Sequence, residues 1–150
     1  MRVALDTNIL AYAEGLGDEQ RCSTALQLVE QLPRSEVVQP AQTLGELSRV
    51  LSANAKRTPP QTREAVLSWA DSFAVVDSTW YAFQSALDLT VDHQLPIWDA
   101  LVFAVAAENH CRLLLSEDFQ NGFTWRGVTV ANPFDEQRSP MLAGRLSTTN

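Results

Sequence analysis

The chain has 150 residues, of which 45% are apolar and 19% are charged. This length suits one domain that buries about two-thirds of its unfolded surface, and the composition excludes a disordered or collagen-like chain. Its 11 basic residues against 18 acidic ones give a formal net charge of −7, which argues against a protein that coats nucleic acid with positive charge. Two cysteines, Cys22 and Cys111, are too few for a disulfide framework.

Neither a signal peptide nor a membrane span is indicated by the apolar segments. Asp6 makes the N-terminus acidic too early for the apolar region of a signal peptide. The longest uninterrupted apolar run, at residues 100–107, is far shorter than the roughly 20 residues that a helix needs to cross a bilayer. We therefore expect a soluble, cytoplasmic protein with no membrane partner.

Short apolar runs that predict strands alternate along the chain with segments whose apolar residues recur at helical spacing. In chain order these are a strand at 2–5, a helical run at 9–13, a helix at 22–32, a strand at 36–38, helices at 40–54 and 58–72, a strand at 73–76, helices at 79–93 and 98–109, and strands at 112–115 and 128–130. Thr58-Pro59-Pro60-Gln61 has the form of a capping box, and Asp77 or Ser78 is suited to cap the helix after it. Because residues 135–150 lose this periodicity, we expect a domain at 1–134 and a loosely ordered C-terminal tail.

Five short strands interleaved with helices predict an α/β fold, in which a five-stranded parallel sheet is flanked by helices on both faces. Such a sheet binds its ligands beyond the carboxyl ends of the strands, near the point where the strand order reverses. Asp6 follows the first predicted strand and Asp118 follows the fourth. Both are therefore expected at the functional edge.

Four acidic residues interrupt the apolar pattern around them, namely Asp6, Glu46, Asp99 and Asp118. Each has an ordinary structural interpretation: Asp6 and Asp99 as helix-start residues, Asp118 as a turn residue, and Glu46 as an ion-pair partner of Arg49. A shared site explains the four together better, because the predicted fold can bring all of them to one edge of the sheet.

A cluster of carboxylates needs compensation, since two unit charges 4 Å apart at an effective dielectric of 20 cost about 4 kcal/mol. A bound cation or a shared proton resolves such a cluster, and oxygen ligands without thiolates suit Mg²⁺ or Mn²⁺. A carboxylate-held Mg²⁺ is suited to phosphodiester hydrolysis. Arg49, Arg57 and Arg112 are candidates for positioning a nucleic-acid backbone, and their spacing favours none of them.

Four segments, in order and spacing, resemble the PIN-domain ribonucleases, and above all the VapC-type toxins of type II toxin–antitoxin pairs. They are Val3-Ala4-Leu5-Asp6-Thr7-Asn8, Gly45-Glu46-Leu47, Trp98-Asp99-Ala100-Leu101 and Leu114-Leu115-Ser116-Glu117-Asp118-Phe119. The resemblance extends from Arg2 to about Phe134. It implies a Mg²⁺- or Mn²⁺-dependent endoribonuclease, usually a homodimer, that cuts structured RNA, often transfer RNA. It also implies a small antitoxin that covers the site, often with an arginine.

The resemblance assigns a role to each matching residue. The catalytic and metal-binding acids that it implies are Asp6, Glu46, Asp99 and Asp118, and the supporting polar groups are Thr7, Asn8 and Ser116. Glu117 and Asp118 are adjacent, and the family's hydroxyl-x-aspartate pattern favours Asp118 as the ligand. Glu117 then remains a candidate for a supporting role.

Two other functions are compatible with the sequence. A strand that ends in aspartate also suits a phosphatase that forms an aspartyl-phosphate. Enzymes of that haloacid-dehalogenase type generally carry a second aspartate at the position of Asn8, and the single lysine, Lys56, follows no predicted strand. A domain that binds RNA or protein without catalysis is the other alternative, in which the acids serve only the structure.

Overall fold

The computed structural model describes residues 1–137 and 139–146. Its strands are β1 (Arg2–Leu5), β2 (Val37–Pro40), β3 (Ala74–Val76), β4 (Cys111–Leu115), β5 (Thr124–Trp125) and β6 (Val128–Ala131). Its helices are α1 (Thr7–Ala13), α2 (Glu19–Gln31), α3 (Ala41–Ala53), α4 (Pro59–Ser72), α5 (Trp80–His93), α6 (Ile97–Glu108) and α7 (Pro140–Leu146), with a 3-10 turn at Arg34–Glu36. No helix within this described part of the chain is both long enough and apolar enough to cross a bilayer.

The described strands form one sheet in the order β3-β2-β1-β4-β6-β5. β1 pairs in parallel with β2 on one side and with β4 on the other, and β3 and β6 extend the parallel sheet outward. The predicted α/β fold with a parallel sheet is therefore confirmed. The chain builds one half of the sheet from β1 through β3 and returns to the other side of β1 with β4. The strand order therefore reverses between β1 and β4, where parallel sheets bind their ligands.

The sheet has six strands and not the five that we predicted. The additional strand, β5, has two residues and pairs antiparallel with β6, through Thr124 with Thr129 and Trp125 with Val128. The connecting residues Arg126 and Gly127 both have positive φ, at 46° and 81°, as a tight hairpin turn requires. A strand of two residues is too short to show a period of two in the sequence, which explains why it was missed.

Helices cover both faces of the sheet because buried side chains alternate along its central strands. Val3 and Leu5 of β1 pack with apolar residues of α1, α2, α3 and α4, while Ala4 between them packs with α5 and α6. β4 repeats the pattern, since Leu113 joins the first group and Leu114 the second. The sheet is therefore the middle layer of three, and its carboxyl edge is the place where polar groups can gather.

The helix starts agree with the sequence at one predicted cap and differ at another. Thr58 and Gln61 form the expected capping box: Thr58 Oγ1 accepts a hydrogen bond from the Gln61 N–H at 3.3 Å, and Gln61 Oε1 accepts one from the Thr58 N–H at 2.9 Å. The cap of α5 is Thr79, whose Oγ1 accepts a hydrogen bond from the Ala82 N–H at 3.0 Å. The prediction of Asp77 or Ser78 was wrong because α5 begins only at Trp80, and the cap is the residue directly before the first helical one.

Part of the predicted loose tail is helical. Residues 140–146 form α7, and Leu142 is completely buried in the apolar cluster that contains α1–α4. A helix of seven residues that buries one leucine gives little periodic signal, which is why it was not predicted. Residues 138 and 147–150 of the predicted tail lie outside the described residues, and the division of the chain after residue 134 remains a prediction.

Replacing the buried leucine of α7 tests its contribution to the core. Leu142→Ala is expected to lower the free energy of unfolding by about 2–4 kcal/mol, because it leaves a cavity among close-packed side chains. Leu67→Ala on α4 is the matched control, since Leu67 is 55% exposed, and its cost should stay below about 1 kcal/mol. Urea unfolding followed by circular dichroism measures both, and equal small costs would contradict the packing of α7.

Candidate active site

The four acids that the sequence singled out lie at the carboxyl edge of the sheet, each on a different element. Asp6 follows β1 and caps α1, and Asp118 follows β4 by three residues. Glu46 lies on α3, which begins directly after β2, and Asp99 lies in the first turn of α6. The neighbouring positions of β1 and β4, with Leu5 paired to Leu115, bring the first two together.

Polar side chains join Asp6 to Asp118. Ser116 Oγ donates a hydrogen bond to Asp6 Oδ2 at 2.7 Å and accepts one from the backbone N–H of Asp118 at 3.0 Å. Asn8 Nδ2 donates to Asp118 Oδ2 at 3.1 Å and to Ser116 Oγ at 3.2 Å. The other oxygen of Asp6 accepts a hydrogen bond from the Thr7 N–H at 2.8 Å. Both carboxylates are therefore held in orientation by a side chain from the motif of the other acid, Asp6 by Ser116 and Asp118 by Asn8.

Glu46 is held by two other side chains. Thr7 Oγ1 donates a hydrogen bond to Glu46 Oε2 at 2.6 Å, and Gln42 Nε2 donates one to Glu46 Oε1 at 2.7 Å. The same Gln42 amide donates to the carbonyl oxygen of Trp98 at 3.0 Å, which ties α3 to the start of α6. No ion pair joins Glu46 to Arg49 among the described residues, so the structure does not support that ordinary interpretation of Glu46.

Gln42 was missed by the sequence analysis. It lies four residues before Glu46 on α3, a spacing at which side chains on a helix are neighbours. That spacing was a usable signal for a hydrogen-bond partner of Glu46. No feature of the sequence indicated the contact of Gln42 with Trp98, which is distant from it in the chain.

The structure separates the roles of the adjacent acids Glu117 and Asp118. One carboxylate oxygen of Glu117 accepts a hydrogen bond from the Tyr12 hydroxyl, and the other accepts one from Arg21 Nε at 3.1 Å. The backbone N–H of Glu117 donates to Asn8 Oδ1 at 3.4 Å. Asp118 is the member of the pair whose carboxylate Asn8 contacts. The Glu117 side chain therefore serves a contact with α1 and α2, and Asp118 belongs with the other acids.

Burial and mutual repulsion act on these carboxylates. Burial raises the pKa of Asp6 to about 7, against the opposing effect of the hydrogen bonds from Ser116 and Thr7, and the charges of Asp118 and Glu46 add to the rise. Burial also raises the pKa of Asp99 above its ordinary value, again with contributions from Asp118 and Glu46. The charges of Asp118 and Glu46 therefore act on both Asp6 and Asp99. Within the described residues, no hydrogen bond or ion pair engages the Asp99 carboxylate.

Whether this group of acids fits a metal ion depends on donor chemistry and on spacing. Among the described residues, no set of three or more Asp, Glu, His and Cys side chains is arranged so that it could hold a metal ion directly. The donors nevertheless fit Mg²⁺, which takes oxygen ligands, keeps several of its waters and is usually held by only one or two carboxylates. Asp118 and Glu46 repel negative charge on both Asp6 and Asp99, and the Asp99 carboxylate has no hydrogen bond or ion pair among the described residues, so a cation would be stabilised here.

Comparison with known proteins identifies relatives of this arrangement. The family model described as "PIN domain" matches residues 3–121 of the chain, which include all four acids. A search of the curated proteins finds no match.

Several solved structures share the fold. The Mycobacterium tuberculosis toxin VapC20, described as cleaving the sarcin–ricin loop, is 22% identical with a TM-score of 0.62, over 75% of this chain and 86% of its own. A toxin–antitoxin complex from Klebsiella pneumoniae is 20% identical with a TM-score of 0.67, over 89% and 98% of the two chains. FitAcB from Neisseria gonorrhoeae is 18% identical with a TM-score of 0.66, over 88% and 98%. At these identities the similarity establishes the fold.

The raised pKa of Asp6 predicts how stability changes with pH when divalent cations are absent. Between about pH 4 and pH 7 the folded chain keeps a proton on Asp6 that the unfolded chain, with a pKa near 3.8, has lost. The free energy of unfolding should therefore fall across this window and level off above it, by at most about 4 kcal/mol from this group. Urea unfolding in EDTA from pH 4 to pH 8 measures the decline.

Asp6→Asn should flatten this decline without abolishing it, because Asp99 contributes in the same direction. Asp71→Asn on α4 is the matched control, since Asp71 is exposed and outside the acidic group, and it should keep the wild-type profile. An identical decline in the wild type and in Asp6→Asn would contradict the assignment of the raised pKa to Asp6.

Proposed function

Because the chain belongs to the PIN domain family, we propose that it is a metal-dependent endoribonuclease and the toxin of a toxin–antitoxin pair. The main support is the convergence of Asp6, Glu46, Asp99 and Asp118 at the point where the strand order reverses. A purely structural role gives no reason for four carboxylates to share one edge, since their repulsion costs free energy. A metal-dependent hydrolase that acts on phosphodiesters uses such carboxylates to hold its cation.

The four acids are the residues that we assign to the metal site. Asp99 and Asp118 have carboxylate oxygens that no described residue contacts, so they are best suited to direct contact with the ion. When bound there, Mg²⁺ or Mn²⁺ would activate water as the nucleophile and offset the charge of the phosphate. Ser116, Asn8 and Thr7, with Gln42, keep the carboxylates in their orientations, and in metal sites such supporting contacts affect both affinity and activity.

The substrate that we propose is structured RNA, with transfer RNA as the first candidate. Water attacks the phosphorus in line with the leaving oxygen, the bond between phosphorus and the 3′ oxygen breaks, and the products carry 5′-phosphate and 3′-hydroxyl ends. Acids that hold a metal ion at the cleaved phosphate act on the RNA backbone, which carries no sequence information. Selection of a particular RNA must therefore come from surfaces around the site.

Removal of one acid or of the cation tests the proposal. Asp99→Asn should lower cleavage of total RNA or bulk transfer RNA by at least about 1000-fold, since a bound metal ion supplies several kcal/mol of transition-state stabilisation. EDTA should abolish cleavage by the wild type, and added Mg²⁺ or Mn²⁺ should restore it. Mapping the new 5′ ends identifies the cleaved bond.

Asp92→Asn on α5 is the matched control, because Asp92 is exposed and lies outside the acidic group, and it should cleave like the wild type. Circular dichroism checks that both variants are folded. Cleavage by purified Asp99→Asn, or cleavage that EDTA does not affect, would contradict the metal site. RNA binding without any cleavage would favour the non-catalytic alternative, and a phosphate trapped on Asp6 would favour the phosphatase.

We also propose that the chain forms a homodimer and binds a small antitoxin that covers the acids with an arginine. Solved structures of this fold include toxin–antitoxin complexes, one of them from Rickettsia felis bound to a DNA fragment of its promoter. An arginine would supply positive charge where the acids lack a cation. For the dimer, α5 exposes Trp80, Leu87 and Val91, which are 70%, 51% and 78% exposed, and apolar patches of this kind mark protein interfaces.

Light scattering after size-exclusion chromatography tests both partners. The protein alone should have twice the mass of one chain. Val91→Glu on the apolar patch of α5 should reduce the measured mass to that of one chain. Co-expression with the product of a small adjacent reading frame should give a larger complex that no longer cleaves RNA. A monomer at tens of micromolar, or unchanged cleavage in the complex, would contradict the respective proposal.

A further inference from the structure

A cavity of about 480 Å³ opens beside the acids and brings one arginine into their neighbourhood. Its lining includes the acids Glu46 and Asp118 and the supporting residues Thr7 and Asn8, together with Arg49 and Asn54 from the C-terminal part of α3 and its cap. A volume in this range is typical of sites that hold a small ligand or one unit of a polymer. The cavity therefore has room for a nucleotide-sized part of a substrate next to the acids.

Arg49 is suited to meet such a ligand because no residue that the structure describes forms an ion pair with it. It lies three residues after Glu46 on α3, on the same side of the helix, and it is exposed. No hydrogen bond, ion pair or ring contact of the Arg49 side chain exists among the residues that the structure describes. Arg49 therefore lines a cavity together with the acids Glu46 and Asp118 and forms an ion pair with neither of them.

The other two candidate arginines are placed differently. Arg57 NH1 donates a hydrogen bond to Glu14 Oε2 at 2.9 Å, and its NH2 donates one to the Glu14 carbonyl oxygen at 3.0 Å. Arg112 lies near the amino end of β4, at the opposite edge of the sheet from Asp118. Of the three arginines that sequence spacing could not distinguish, only Arg49 lines the cavity beside the acids, and it has no partner among the described residues.

We propose that this cavity is a subsite for the RNA backbone, and that the Arg49 guanidinium binds a phosphate next to the one that is cleaved. The inference rests on the proposed nuclease function and adds a substrate-binding residue to it. A guanidinium binds phosphate through two parallel hydrogen bonds, so it fixes orientation as well as adding attraction. It also offsets the repulsion that Glu46 and Asp118 exert on an incoming polyanion.

The first test separates binding from chemistry. With bulk transfer RNA and saturating Mg²⁺, Arg49→Gln should raise KM roughly tenfold and leave kcat within about twofold of the wild type. The reason is that the contact with phosphate is equally strong in the enzyme–substrate complex and in the transition state. Arg49→Lys keeps the charge but not the paired hydrogen bonds, so its KM should lie between the two. Arg112→Gln carries the same change in net charge at the far edge of the sheet, and its KM should equal that of the wild type.

The second test does not need cleavage. In the Asp99→Asn background, binding of bulk transfer RNA is measured by filter retention at several salt concentrations. Adding Arg49→Gln should weaken binding roughly tenfold, and it should reduce the slope of log affinity against log salt by the amount that corresponds to about one phosphate contact. Adding Arg112→Gln should change neither the affinity nor the slope.

The outcomes distinguish the subsite from the nuclease. If the wild type cleaves RNA and the Arg49→Gln change alters neither KM nor affinity nor salt slope, the subsite is overturned and the nuclease stands. Weaker binding by Arg49→Gln with no cleavage by the wild type supports Arg49 as a residue that binds the RNA backbone, but it overturns the nuclease and with it the place of Arg49 beside a cleaved phosphate. Equal effects of Arg49→Gln and Arg112→Gln, or no binding of transfer RNA by the Asp99→Asn protein, also overturn the subsite.

Discussion

Removal of the Asp6 carboxylate from water is the constraint on which the rest of the site depends. Asp6 is only 5% exposed and follows a strand whose last three residues are completely buried. Two hydrogen bonds to its carboxylate favour the charged form, yet burial outweighs them and the pKa rises to about 7. The nearby carboxylates of Asp118 and Glu46 make the charged form less favourable still. The site is therefore a place where negative charge is costly unless a cation or a proton accompanies it.

The topology of the sheet creates this constraint and also provides the groups that manage it. Reversal of the strand order between β1 and β4 places the residues after both strands side by side. Ser116 can then reach Asp6, and Asn8 can reach Asp118, across more than a hundred residues of sequence. Each motif therefore supplies an acid and also orients the acid of the other motif. This reciprocity explains why polar residues directly follow both strands.

How much of this could be predicted depends on the range over which each signal acts. The acids interrupt apolar patterns locally, and a parallel sheet gathers its strand ends at one edge, so the convergence of Asp6 and Asp118 followed from the sequence. The capping box at Thr58 is also a local signal. β5 and α7 were not predicted, because their residues do not establish a period of hydrophobicity. β5 has only two residues, and α7 has one completely buried leucine. Gln42 was detectable by its spacing from Glu46, whereas the contacts of Glu117 with Tyr12 and Arg21 join segments about a hundred residues apart.

The uses of arginine show how a chain with excess negative charge can still present positive charge to a ligand. Arg21 pairs with Asp18 and Glu117, Arg57 with Glu14, and Arg126 with Asp88, so each of these guanidinium groups is occupied by an acid of the protein itself. By engaging Glu117, Arg21 also leaves Asp118 as the acid of that pair beside Asp6. Arg49 has no such partner among the described residues, although it is one helical turn from Glu46, whose two carboxylate oxygens accept hydrogen bonds from Thr7 and Gln42. The neutral donors that hold Glu46 therefore leave the charge of Arg49 available to the cavity.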